Sequence, residues 1–156
     1  MFPPRAYAIV SVAFSAIAVA KGALADGGDG HLRLFRAATC FATSQAGRAR
    51  EPSPISREFS RTVRHGRVHD FLVLSGSDQP AARLYGLCGL KALHAPEYSE
   101  IRRRLATDPA QVRVLVGCIR RHETVQTTLT RSYSGGEGPS VFDTVCDTLE
   151  RRRHGR

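Results

Sequence analysis

Pro80-Ala81-Ala82-Arg83-Leu84-Tyr85-Gly86-Leu87-Cys88-Gly89-Leu90-Lys91-Ala92-Leu93 decides how the chain is read. Ser77 or Asp78 offers a cap, Pro80 suits a first helical turn, and Ala81 to Leu93 is predicted to be a helix. Arg83 and Lys91 are its only charged positions. A helix apolar nearly all round is a buried one. Gly86 and Gly89 each cost a helix about 1 kcal/mol relative to alanine. Another backbone packed close against that face would make both glycines tolerable.

Working outward, Ser53 or Ser56 caps a predicted helix reaching Arg64, with Ile55, Phe59 and Val63 spaced by four. Gly66 breaks it. Val68, Phe71 and Leu72 begin a second short helix that Gly76 ends. Beyond His94-Ala95-Pro96, the residues Tyr98, Ile101 and Leu105 mark one face of a further helix, with Arg102, Arg103 and Arg104 directed into solvent. After Asp108-Pro109, Val112, Val114, Val116 and Cys118 alternate with Gln111 and Arg113, the period of a strand. Val141, Phe142, Val145, Cys146 and Leu149 form a last amphipathic helix, whose dipole Arg151 to Arg153 complement. His31 to Ala42 is readable as strand or short helix, and Val125 to Thr130 is undecided. Ser134 to Pro139 is a loop. The fold class is therefore mainly α: one compact domain of short helices over residues 31–150, with a short strand or hairpin near 111–130.

The N-terminus reads as an address. Arg5 precedes an uncharged run from Ala6 to Ala20, then Ala23-Leu24-Ala25, then Asp26. This order is that of a signal peptide over residues 1–25. The run is shorter than the roughly 20 residues a membrane span needs. Cleavage after Ala25 is expected, followed by a flexible leader at 26–30 and, at the other end, a basic tail at 151–156. The localisation expected is secreted or periplasmic.

The chain carries 23 Lys and Arg against 14 Asp and Glu, a formal charge of +9. Loss of Arg5 and Lys21 leaves the mature chain at about +7, which raises nucleic-acid or anionic-surface binding. Lys21 and Lys91 are the only lysines, an arginine bias that a GC-rich genome produces by itself. No aromatic-interleaved basic stripe accompanies it, so nucleic acid is not the partner expected. Arg102 to Arg104 and Arg151 to Arg153 are read as solvated faces.

Candidate chemistry is sparse. His65, His69 and Asp70 have the i, i+4 histidine spacing of a metal site, but Gly66 interrupts them and the HExxH glutamate is missing. Cys118 and His122 are also four apart, a cysteine–base pair only if that segment is helical. Ser134-Gly135-Gly136-Glu137-Gly138 lacks the ending of a phosphate loop. No convergent acid, base and nucleophile emerges, no catalytic residue is assigned, and no cofactor is implied. Cys40, Cys88, Cys118 and Cys146 form an even set without a CxxC pair, which suits disulfides in an oxidising compartment and allows three connectivities.

Arg83-Leu84-Tyr85-Gly86-Leu87-Cys88-Gly89-Leu90, with Val116-Gly117-Cys118 downstream, resembles a group of uncharacterised exported bacterial proteins. Their shared features are a Leu-Tyr-Ala-Leu-Cys-Gly-Leu helix and a later Gly-Cys; Gly86 stands here in place of the alanine. The resemblance spans Phe59 to Cys118 and implies no activity. It associates Cys88 with Cys118. Cys88 lies on the buried helix and Cys118 ends the strand, so a Cys88–Cys118 disulfide is expected, leaving Cys40 and Cys146 as a second pair.

The function expected is a small exported, non-enzymatic binding or structural module, partnered by a protein or envelope component, without stable membrane insertion after cleavage. The rivals are a hydrolase, using His65, His69 and Asp70 with a metal or Cys118 with His122, and a basic protein adhering to anionic envelope surfaces.

Overall fold

Among the described residues, ten regular elements and a turn of 3-10 helix build a mainly helical fold around a small sheet. The computed structural model describes residues 29–45 and 52–154. The expected leader at 1–25, its cleavage site and the end of the tail lie outside the described residues. Within them, the 3-10 turn Asp29–Leu32 leads into α1 (Arg33–Arg36) and β1 (Cys40–Ala42). Then come α2 (Pro54–Arg64), α3 (Val68–Ser75), α4 (Pro80–Ala92) and α5 (Tyr98–Leu105). The hairpin β2 (Gln111–Val116) and β3 (Ile119–Thr124) follows, then α6 (Val125–Thr130) and α7 (Val141–His154). Asp29 and Gly30, placed in a flexible leader by sequence, are part of the 3-10 turn. Arg151 to Arg153, placed in a tail, continue α7.

Helix α4 is the axis of the core. Leu84, Leu87, Cys88 and Leu90 are fully buried, with Tyr85 almost so. A Cβ on Gly86 would stand 2.5 Å from the Ser75 amide nitrogen and 2.7 Å from the Phe71 carbonyl; one on Gly89 would enter the Phe71 ring. The backbone of α3 is thus the close neighbour at Gly86, and the Phe71 ring of α3 is the one at Gly89. Gln79, rather than Ser77 or Asp78, is the N-cap, and the Ser77 hydroxyl accepts from its amide. At the other end His94 takes the left-handed conformation (φ 52°). There the amides of His94 and Ala95 donate to the carbonyls of Lys91 and Leu90, closing a Schellman turn.

A second stripe of α4 meets α7. Cys88 and Lys91 are three apart, hence on one face. Cys88 is disulfide-bonded to Cys146, with Cα atoms 5.5 Å apart and both side chains fully buried. Lys91 reaches Asp143 at 2.9 Å and Asp147 at 3.3 Å. The expected Cys88–Cys118 pairing, with Cys40–Cys146, is therefore corrected. Cys118 does not end a core-facing strand but sits in an exposed turn, and both it and Cys40 are free thiols.

The sheet has the order β1-β2-β3, with β1 parallel to β2 and β3 antiparallel to it. A short strand or hairpin was expected near 111–130 and the structure has the hairpin; β1 resolves the ambiguous first segment into a helical turn followed by a strand. Tertiary partners hold β1 extended. Thr43 N–H donates to the Leu115 carbonyl, and Ala42 N–H donates to the buried Tyr85 hydroxyl at 3.1 Å. Burial pushes the Tyr85 phenol far above the ordinary tyrosine range, against the opposing pull of that backbone donor.

Candidate functional site

The hairpin is where the sequence departs from core building. In β2, Val112, Val114 and Val116 are buried while Gln111 and Arg113 are exposed. Gly117, at φ 59°, forms a two-residue turn with Cys118, and Val116 pairs with Ile119 across it. Glycine first with positive φ, followed by a residue without it, is the II′ pattern whose twist matches a hairpin. The Gly117 amide is anchored to the Thr43 hydroxyl at 3.0 Å.

Register then sorts the side chains. Ile119, Arg121 and Glu123 share the inner face with the buried valines; Arg120 and His122 share the outer face with Arg113 and Leu115. Arg113 stands directly opposite His122, and Leu115 opposite Arg120. All three basic side chains are exposed. Among the described residues none of the three makes an ion pair or side-chain hydrogen bond. Like charges directly across a strand pair are unfavourable whenever His122 is protonated.

The inner face handles charge differently. Glu123 is 3% exposed at its side chain, with Arg131 at 2.9 Å and Arg121 at 3.8 Å. Neither of its oxygens has an aligned hydrogen bond, so the contact is one of charge. The Arg121 guanidinium lies over the Tyr133 ring, 5.3 Å from its centroid. Glu123 escaped sequence reading because Ile119-Arg120-Arg121-His122-Glu123 has no apolar alternation. The signal was positional: a strand paired with Val112-Arg113-Val114 must alternate too.

In a two-residue hairpin the closing pair is hydrogen-bonded, and bonded pairs recur at every second residue. Ile119, Arg121 and Glu123 therefore direct their backbone groups to β2. Arg120 and His122 direct theirs away, at the edge of the sheet. No backbone hydrogen bond to Arg120 or His122 from outside the hairpin occurs among the described residues.

The residues singled out by sequence fare as follows. His65 caps the end of α2 and His69 lies on α3, with the Gly66 Schellman turn (φ 64°) between them. The chain changes direction there, so the two histidines do not share a helix face. Both are exposed, and Asp70 pairs with Arg67 at 3.3 Å. No group of three metal-ligating side chains forms among the described residues, so the structure does not assemble His65, His69 and Asp70 into a site. Cys118 and His122 are separated along the hairpin, about 3.3 Å per residue, too far apart for a nucleophile–base contact. The glycine-rich loop is closed by the Ser132–Ser140 bridge.

The arginines of α5 divide. Arg103 pairs with Glu100 in solvent, as expected. Arg102 is a correction: it is half-buried, donates to the Leu129 carbonyl at 3.2 Å and lies over the Phe142 ring. Arg104 is exposed but reaches back to the Ser75 carbonyl. Arg83 and Asp108 pair at 2.9 Å, and Arg83 also donates to the carbonyls of Ser77 and Asp78, tying the α3–α4 loop to the end of α5.

The remaining charged cluster joins α4 to the start of α7. Ser140 and Asp143 cap α7 reciprocally: the Asp143 amide donates to the Ser140 hydroxyl, which donates to the carboxylate. Partial burial pushes the Asp143 carboxyl up, but the Ser140 hydroxyl, Lys91 and Arg102 together hold it below the ordinary carboxylate value. Burial lowers Lys91, and the Asp143 and Asp147 carboxylates outweigh it, so its net shift is upward. Every polar atom of this cluster serves helix capping or helix–helix pairing. The outer face of the hairpin is built otherwise, with Arg113 and Arg120 held out and, among the described residues, nothing paired to them.

Comparison with protein-family models, with curated proteins and with solved structures finds no match to this chain. No helix among the described residues is long and apolar enough to cross a membrane.

Proposed function

We propose that the protein is a small exported module that works by binding a protein or envelope component, and that the β2–β3 hairpin is its working surface. The observation that carries this reading is the outer hairpin face, where Arg113, Arg120 and His122 stand exposed and unpaired beside an open strand edge. Exposed arginines without a partner also occur on helices, at Arg33, Arg57 and Arg64, but among the described residues it is the hairpin that sets two of them on one face beside an open strand edge, where their charge is available to a partner. Export is supported by the signal-peptide pattern of residues 1–25 and by the buried Cys88–Cys146 disulfide, a bond that oxidising compartments favour. The arrangement does not favour hydrolysis, because neither His65 with His69 nor Cys118 with His122 is brought together.

The test has two arms. N-terminal sequencing of the product found outside the cytoplasm should begin at Asp26; recovery of the intact chain embedded in a membrane contradicts export. Tagged mature chain should then retain a component of the envelope fraction that an Arg113→Glu, Arg120→Glu variant does not retain. Equal retention by the variant removes the hairpin from the account.

A further inference from the structure

We propose that the free edge of β3 takes an extended acidic segment of a partner protein as a fourth strand, with carboxylates on alternate residues seated against Arg120, His122 and Arg113. This rests on the reading of the chain as a binding module and adds the chemical class of what it binds. Three features of the hairpin converge on that ligand.

The first is the backbone. At Arg120 and His122 the N–H and C=O groups point away from β2, and among the described residues the sheet ends there. A strand edge of this kind is completed by another extended backbone, which supplies acceptors and donors in the same rhythm. A lipid headgroup or a polyphosphate has no such ladder.

The second is spacing. Arg120 and His122 lie on one face two residues apart, about 6.6 Å along a strand. Alternate side chains of an added strand have the same repeat, so two carboxylates separated by one residue come into register with Arg120 and His122. Arg113, opposite His122, widens the positive site toward the middle of the sheet. A carboxylate placed there pairs with the Arg113 guanidinium and can accept a hydrogen bond from the His122 ring.

The third is the other face of the same strand. Ile119 is 45% exposed, and Arg121 lies over Tyr133 beside it. The residue between two carboxylates would turn to this side, opposite Arg121, where an apolar side chain lies along the Arg121 stem with Ile119 as its diagonal neighbour. The preferred segment therefore alternates acidic and apolar residues and is short, since Thr124 ends the edge by capping α6. A second copy of β3 is a poor occupant: it would set Arg120, Arg121 and His122 against their own kind, a charge pattern that protects edge strands from self-pairing.

The experiment uses the purified mature protein and a labelled peptide of alternating glutamate and valine. Its controls are a peptide of the same composition with the glutamates contiguous, the alternating peptide N-methylated at every second residue in either register, and phosphatidylglycerol vesicles. The alternating peptide should bind and should slow amide exchange at Arg120 and His122 in the otherwise unmodified protein. The Arg113→Glu, Arg120→Glu variant should bind it at least roughly tenfold more weakly with an unchanged melting temperature. One of the two N-methylated peptides should lose binding. Equal binding of the contiguous peptide, of both N-methylated peptides or of vesicles would overturn strand addition in favour of unspecific charge attraction. Failure of the alternating peptide to bind would overturn it too. If envelope capture still depended on Arg113 and Arg120, the wider reading of a binding surface would survive that failure.

Discussion

Helix α4 and the β2–β3 hairpin use their residues in opposite ways. Around α4, every position is committed inward. Gly86 admits the α3 backbone and Gly89 the Phe71 ring, Cys88 is bonded to α7, Tyr85 satisfies the β1 amide at Ala42, and Lys91 is held by two carboxylates. On the hairpin only the inner face is committed: three valines pack and Glu123 is matched by Arg121 and Arg131. The outer face and edge are left unmatched. The contrast teaches that strong positive charge in this chain has two meanings. Arg83, Arg102 and Lys91 hold elements together; Arg113 and Arg120 hold nothing that is described.

The comparison breaks most visibly at the disulfide. Cys88 and Cys146 are 58 residues apart, and closing such a loop stabilises a fold by about 4 kcal/mol in the chain-entropy model. Reduction, or the Cys88→Ala, Cys146→Ala double variant, should lower the unfolding free energy by that order, read from the shift in denaturation midpoint. Blocking Cys40 and Cys118 with an alkylating agent in the folded protein should leave it unchanged. Non-reducing peptide mapping that linked Cys88 to Cys40 or Cys118 would contradict the pairing.

Gly86→Ala should come next. The added Cβ meets backbone atoms of α3 rather than a movable side-chain end, so overpacking of about 2–3 kcal/mol should outweigh the gain in helix propensity. Chemical denaturation measures it, and a neutral or stabilising result would mean that α3 does not lie against this face.

Lys91→Met should cost about 1 kcal/mol, between an exposed pair and a buried charged hydrogen bond. Its pH signature is more telling. Asp143 is held low, so its contribution is present above the ordinary carboxylate value, about 3.9, and is lost as pH falls through its lower folded value. Lys91 is raised, so its contribution is present below about 10.4 and is lost as pH rises through its higher folded value. Melting curves of wild type and Lys91→Met should be parallel between these limits and converge outside them. Parallel curves over the whole range would show that the network carries no titration energy.

The smallest effect on stability belongs to the hairpin. Arg113→Glu with Arg120→Glu should change unfolding free energy by no more than about 0.5 kcal/mol, the scale of exposed substitutions away from packed features. A loss of several kcal/mol would place these arginines among the structural ones.

The helices were legible because their causes are local. Ser53 accepts from the Ser56 amide at the start of α2, Gly66 and Gly76 stop α2 and α3, and the glycine pair in α4 announced a close neighbour. The disulfide was not, because Gly117-Cys118 carries neither Asn nor Asp to advertise a turn, and Val112 to Cys118 reads as one strand. A signal for the correct pairing existed in the charges. Lys91 is one turn beyond Cys88, and Asp143 and Asp147 flank Cys146. The strand β1 was hidden for a different reason: three residues are held extended by Tyr85, Leu115 and the rest of the sheet, none of them near in sequence. The hairpin surface was half legible. Its arginines were visible, but their separation from structural arginines such as Arg102 depends on register, which only the paired strands define.

Residue-resolved amide exchange on the free mature protein tests the division between the two regions most directly. Amides in the middle of α4 should open only with global unfolding, whereas those of Arg120 and His122 should exchange near the unprotected rate while their neighbours Ile119 and Arg121 are protected. Strong protection of Arg120 and His122 in the free monomer would show that the edge of β3 is already occupied, and the hairpin would then be one more structural element instead of the surface on which this protein works.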